Sequence, residues 1–239
     1  MPFRLSAHLD RLQASLAAIK LANPHSRADW EVIFKRLCEA NGAGNLSIYL
    51  QITRGSPTQR HHELPPEDCP PTVFAMVSNL PQASHEEGVS AVTLEDTRWS
   101  RCDIKSTALL ANVLLRQDAV DKGADEAILH RDGIITEGAA STVFIVKGQQ
   151  LSTPELNTGL LPGVTREVIL DLAARHGLPF SCRIIRRAEL DHAEEIWLTS
   201  STKEVVPVVE IDGYPVGGGK VGAIFQAMRG WLDELKKEG

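Results

Sequence analysis

Apolar residues recur at helical spacing from the start of the chain. Leu5, Leu9, Leu12, Leu16 and Ile19 fall three or four apart. At 3.6 residues per turn such positions share one face, which predicts an amphipathic helix. Ser26 stands three residues before Asp29, a spacing that can cap a second helix. Trp30, Ile33, Phe34 and Leu37 continue its apolar face up to Gly42. From Ser47 to Thr53 the period changes to two: Ile48, Leu50 and Ile52 alternate with Tyr49, Gln51 and Thr53. That pattern predicts a half-buried strand. Thr72 to Val77 reads as another, so only two strands are expected before Asn79, a thin sheet with exposed edges.

A polar stretch from Asn79 to Glu87 predicts a linker, dividing the chain into a small α/β domain (1–79), a linker (80–87) and a larger domain (88–239). The larger part opens with a strand, Val89 to Glu95. A segment containing Lys105 follows, then a helix carrying Leu109, Leu110, Val113 and Leu114. Turn signals at Asp132-Gly133, Lys147-Gly148 and Asp212-Gly213 mark a strand-rich region. A further strand runs from Glu195 to Leu198, and helices are expected at Val164 to His176 and from about Lys220 to Lys236. The expected class is mixed α/β (α+β) in two domains, with no internal repeat.

Composition narrows the function. The 239 residues carry a net charge of −6, which argues against a nucleic-acid or anionic-membrane surface. No run of about 18 apolar residues is present to form a transmembrane helix, and no apolar leader core stands at the N-terminus. Cys38, Cys69, Cys102 and Cys182 are scattered without metal-ligand spacing and read as free thiols of a cytoplasmic protein. Cys102, near Lys105, reads as a small packing residue.

The candidate chemistry lies in Arg101-Cys-Asp-Ile-Lys105-Ser106 and Ile135-Thr-Glu137-Gly138. A pyridoxal phosphate enzyme needs a lysine amine for the cofactor aldehyde and an acid to keep the ring nitrogen protonated. Each residue also has an ordinary reading, as a solvated lysine and a turn glutamate. Gly159-Leu-Leu-Pro162-Gly163-Val164-Thr165-Arg166 leads into a helix whose first N–H groups can hold an anion, though an ordinary capped helix fits this segment alone. Thr199-Ser200-Ser201-Thr202 adds hydroxyls after a strand, which can also simply close a turn. Arg11 offers a fixed positive charge, or a solvated helix face.

Together these segments resemble the class IV (fold-type IV) pyridoxal-phosphate-dependent aminotransferases, and within them the D-amino-acid transaminases. His8-Leu-Asp-Arg11-Leu, Tyr49-Leu-Gln-Ile-Thr-Arg54-Gly55, Asp103-Ile-Lys105-Ser, Thr136-Glu137-Gly, Gly163-Val-Thr165-Arg and Leu198-Thr-Ser200-Ser201 occur in the family's order and spacing. The resemblance implies a larger domain built as a strand-rich pseudo-barrel with helices. It implies that Lys105 is the Schiff-base lysine and Glu137 the partner of the pyridinium. Arg11, Ser200, Ser201 and the N–H groups of Val164 and Thr165 would then bind the phosphate, and Leu161 would pack against the ring. After Arg54-Gly55 the loop reads Ser-Pro-Thr-Gln-Arg60-His61-His62. The D-amino-acid branch carries an Arg-x-His here for the substrate carboxylate, which implies Arg60 and His62, on a loop supplied by the second subunit of a homodimer.

The expected reaction passes an amino group between a D-amino acid (D-alanine, D-glutamate or D-aspartate) and a 2-oxo acid such as pyruvate or 2-oxoglutarate. A branched-chain L-amino-acid aminotransferase, an aminodeoxychorismate lyase and an inactive shortened remnant stay open. Two departures stand out. The family's first strands and an aromatic, Gly-rich stretch ahead of His8 are expected to be missing. Ala139-Ala140 replaces hydroxyls often found after Glu137-Gly138, which implies slightly weaker binding.

Overall fold

The computed structural model describes residues 2–42, 44–59, 62–66, 68–80 and 87–238. The chain forms two compact units, Met1–Gln82 and Ala83–Gly239. In the first, α1 (Leu5–Ala18) and α2 (Arg27–Asn41) pack on a hairpin of β1 (Leu46–Thr53) and β2 (Thr72–Asn79). The capping box at the start of α2 forms as its spacing predicts. Asp29 N–H donates to Ser26 Oγ at 3.2 Å, and Ser26 N–H donates to Asp29 Oδ2 at 3.0 Å. Trp30 anchors the unit: it stacks on Phe34 at 5.6 Å and donates from Nε1 to Asn23 Oδ1 at 3.0 Å.

Ile48, Leu50 and Ile52 pack with Val73 against Leu9, Trp30 and Phe34, the face the alternation predicts. Tyr49, Phe74 and Met76 on the opposite face are exposed. Strand β2 runs past the predicted Val77. Asn79, expected to open the linker, instead pairs with Leu46 and ends the strand. Residues 81–86 of that expected linker lie outside the described residues.

The second unit begins with β3 (Val89–Glu95), α3 (Leu110–Asp121), β4 (Glu126–Arg131), β5 (Ile134–Gly138), β6 (Thr142–Lys147) and β7 (Gln150–Thr153). It continues through α4 (Val164–Arg175), β8 (Phe180–Cys182), a 3-10 turn (Arg187–His192), β9 (Glu195–Ser200), β10 (Glu204–Ile211), β11 (Tyr214–Pro215) and α5 (Ala223–Lys237). The strands form one sheet in the order β5-β4-β3-β10-β9-β6-β7-β8, with β11 on β10. The β3–β4 pair is parallel across α3, and the β7–β8 pair is parallel across α4, the connection that parallel neighbours require.

The sheet curls until its ends meet. Ile134 bridges Arg186, Ile135 N–H donates to the Ile185 carbonyl at 2.8 Å, and Arg187 N–H donates to the Gly133 carbonyl at 2.9 Å. Ile128, Ile135, Val143, Ile145, Ile196, Leu198 and Val208 fill the interior. Phe144, Val146, Trp197 and Val205 face outward and lie beneath α4 and α5. Burial on both faces explains why β6 reads as an unbroken apolar run. The architecture is a mixed α/β fold with a strand-rich half-barrel.

Three hairpins turn on two left-handed residues each: Asp132-Gly133, Gly148-Gln149 and Asp212-Gly213, with φ between 51° and 81°. Such pairs match the twist of the flanking strands. The middle turn sits one residue later than the sequence signal, because Lys147 still pairs with Gln150. Helix α3 forms where expected, and its apolar residues divide between two faces. Leu115 and Ala119 form its buried face, whereas Leu109, Leu110, Val113 and Leu114 are exposed, Leu110 at 74%. No helix among the described residues is long and apolar enough to cross a membrane.

Candidate active site

Glu137 stands near the end of β5, where alternation points it away from the helix-covered side. Only 6% of the residue is exposed. Its Oε2 accepts from the Leu161 N–H at 3.0 Å, and its Oε1 accepts from Arg98 Nη1. Arg98 follows β3 in Asp96-Thr-Arg98. Its Nε and Nη2 meet Asp96 Oδ1 and Oδ2 at 2.9 and 2.8 Å, and Nη2 also reaches the Gly159 carbonyl at 3.4 Å. Thr136 Oγ donates to Asp96 Oδ2 at 2.9 Å, and Arg131 Nη2 lies 3.4 Å from the same oxygen.

This cluster balances burial against charge. Burial pushes Asp96 up, but the Arg98 hydrogen bonds and charge, with the Thr136 hydroxyl, hold it below the ordinary carboxylate value. Burial opposes the charge of Arg98 too, yet Asp96 and Glu137 hold it above the ordinary arginine value. Glu137 is pushed up by burial, and Arg98 and the Leu161 N–H pull against that without cancelling it. Cys102 is also pushed up by burial, which suits a packed thiol better than a nucleophile.

Glu137 and Leu161 are thus joined by a direct hydrogen bond. The loop carrying Leu161 runs into α4, whose N-cap is Gly163 with no side-chain cap. The first N–H groups of a helix lack intrahelical partners, so Val164 and Thr165 present donors suited to an anion. Ser200 lies in β9 rather than after it, since the strand runs two residues beyond the predicted end. Its Oγ accepts from Lys203 N–H at 3.2 Å, which leaves its own proton to donate. Ser201 is exposed in the turn that follows. Lys105 is exposed in the irregular segment between a turn and α3.

The remaining predicted residues belong to the first unit. Arg11 is half-buried on α1, its Nη2 3.4 Å from His8 Nδ1, and burial lowers its pKa. His62 is exposed, and Arg60 lies outside the described residues.

The sequence reading missed Asp96 and Arg98, although Asp-x-Arg directly after an apolar strand was their visible signal. Ser141 Oγ and Thr199 Oγ1, the latter from the hydroxyl run that the sequence singles out, are buried without a hydrogen-bond partner among the described residues. Both residues line a cavity of about 10 Å³ with Ser200, Glu126 and Lys203, room for about one water.

A buried carboxylate tied to the loop before an uncapped helix, on a curled mixed sheet, describes a site for a small anionic ligand. The amino-transferase class IV family model matches residues 1–211. The D-alanine aminotransferase of Bacillus licheniformis is 37% identical over 222 residues, 93% of this chain and 78% of that protein. The branched-chain amino acid aminotransferase of Escherichia coli superposes with a TM-score of 0.89 over 98% of this chain and 79% of its own, at 24% identity. That of Thermobaculum terrenum, in its PLP holo form, gives 0.88 over 98% and 78%, at 25% identity. The chain belongs to the class IV amino-transferase family, and it is an aminotransferase.

Proposed function

We propose that this aminotransferase moves an amino group between a D-amino acid and a 2-oxo acid, with pyridoxal 5′-phosphate as cofactor. The observation that carries the reading is the likeness to D-alanine aminotransferase over 93% of the chain. The donor set suits the cofactor. Glu137 is a buried carboxylate able to face a ring N–H⁺. The uncapped start of α4 offers backbone donors for a phosphate, as does the Ser200 hydroxyl. When bound, pyridoxal phosphate supplies an electron-withdrawing ring that stabilises negative charge at the substrate Cα.

In this reading Lys105 would hold the cofactor aldehyde through Nζ, and its amine would move the proton at the substrate Cα. Glu137 keeps the ring nitrogen protonated, because opposite charges in a desolvated site favour each other's ionised form. Leu161 packs beside the ring. Val164, Thr165, Ser200 and Ser201 hold the phosphate. On resemblance alone the proposal extends to Arg11 for the phosphate, and to Arg60 and His62 for the substrate carboxylate. The exposed apolar residues Leu110, Val113 and Leu114 support a homodimer, since a second copy would cover them. Four free cysteines fit a reducing, cytoplasmic setting.

The test follows the cofactor's visible band while the protein meets matched D- and L-amino acids one at a time. Loss of the band with D-alanine or D-glutamate, faster than with any L-amino acid, is the expected result. Faster loss with L-leucine or L-isoleucine would transfer the chain to the branched-chain branch, whose members share its fold. A coloured protein inert to every amino acid would overturn the reading.

A further inference from the structure

We propose that Arg98, itself held by Asp96, is the positioning residue that keeps the Glu137 carboxylate ionised and aimed. The inference rests on the reading of Glu137 as the partner of the cofactor ring. A carboxylate sealed in protein ordinarily gives up its charge, because desolvation penalises the ionised form. Glu137 and Arg98 are 6% and 7% exposed. A lone Glu137 would therefore take up a proton and could no longer balance a ring cation.

Arg98 counters this through its planar fork. One side, Nε and Nη2, lies flat against both oxygens of Asp96. The remaining Nη1 then points at Glu137 Oε1. A lysine could not divide itself this way, since it offers a point charge rather than two fixed edges. Asp96 has no exposed side-chain surface and is fixed on its far side by Thr136 Oγ and Arg131. The fork is thus locked from behind. Among the described residues Arg98 and Asp96 act directly on Glu137, and Cys102 and Arg131 belong to the same charged and titratable cluster. Asp96 repels Glu137, and Arg98 is the cation in direct contact with it. Two carboxylates against Arg98 and the half-exposed Arg131 leave the cluster short of buried positive charge. A ring cation would supply it.

The experiment uses cofactor-free protein whose glutamate side-chain carboxyls carry ¹³C, titrated by NMR. The Glu137 signal is the one lost in Glu137→Gln. In the wild type it should report an ionised carboxylate at neutral pH. Arg98→Met should raise its midpoint by about one pH unit or more, and Arg98→Lys should recover part of that shift. Because Arg98→Met takes from the buried Asp96 its bidentate cation, the neutral pair Asp96→Asn/Arg98→Met serves if the single variant does not fold, with a smaller upward shift expected because the repulsion from Asp96 is gone as well. An unchanged Glu137 midpoint in these variants, or a Glu137 already protonated at neutral pH in the wild type, overturns the proposal. Failure of the wild type to take up pyridoxal phosphate would instead strike the functional reading and leave this titration as it stands.

Discussion

The Leu161 N–H and Glu137 Oε2 lie 3.0 Å apart, and that bond fastens the loop before α4 to the end of β5. A ring-and-phosphate ligand held as proposed would therefore have both ends positioned by one rigid piece of structure. Glu137→Gln keeps an oxygen for the Leu161 N–H but gives up the charge. The cofactor should stay bound, while loss of the Cα proton in the donor half-reaction slows by about tenfold or more, roughly 1.4 kcal/mol of barrier. Rapid-mixing kinetics with a deuterated Cα donor will read this. Wild-type speed would assign the ring partner to another acid.

Lys105→Ala separates chemistry from folding. The side chain is exposed and outside any helix or strand, so stability should change by no more than about 0.5 kcal/mol. Turnover should nearly vanish. Borohydride treatment of the wild type followed by peptide mapping should find the pyridoxyl group on Lys105. Label on Lys122, Lys147 or Lys203 would refute the assignment.

Gly138 is fixed by lack of space. A Cβ there would lie 2.1 Å from Ser141 Oγ and 3.2 Å from the Ala127 carbonyl. Gly138→Ala should cost about 1–3 kcal/mol in urea unfolding. Adding Ser141→Gly removes the nearer clash and should return much of that loss. A double variant no more stable than Gly138→Ala would show that the backbone contact, and not the serine, sets the constraint.

Acid should loosen the 3-10 turn before β9. Glu189 accepts from Arg183 Nη1 and Nη2 at 3.1 and 2.7 Å and from the Arg186 N–H at 2.8 Å. The Arg183 hydrogen bonds are the main reason its carboxyl sits below the ordinary value. A depressed folded-state pKa means stabilisation that is full above the unfolded value, near pH 4.3, and fades as pH falls through the folded one. Wild type should exceed Glu189→Gln in stability at pH 7, and the gap should close on acidification. A gap that holds constant down to about pH 2 would contradict the account.

Much of the fold was legible because local physics and the final packing agreed. Strand β3 begins and ends where its apolar pattern does, and the Ser26–Asp29 box starts α2 where the spacing places it. Helix α3 forms where its pattern predicts, but which of its faces is covered was not legible. Periodicity reports an apolar face but not what covers it, and Leu110, Val113 and Leu114 turn away from their own sheet. Of the candidate site, the motifs around Glu137 and Leu161 were legible, and the structure brings those two segments together. Asp96 and Arg98 escaped because charged residues after a strand ordinarily face solvent. Here Thr136 and Glu137 of β5, Arg131 and the Gly159 carbonyl close around them, a relation between distant parts of the chain. Thr199 and Ser200 read as following the strand rather than ending it because the strand's last residues carry no apolar mark.

The strand order also sets a schedule for making the protein. β3 lies between β4 and β10, so one of its edges finds a partner early and the other waits until Ile211 has left the ribosome. Through the synthesis of five further strands, a row of unpaired backbone groups beside Ala91 stays open. Long-range pairing of this kind slows folding and leaves such an edge available to other chains. The second unit can therefore be completed only when nearly all of it has been translated, and stalled or prematurely released chains would carry an adhesive strand.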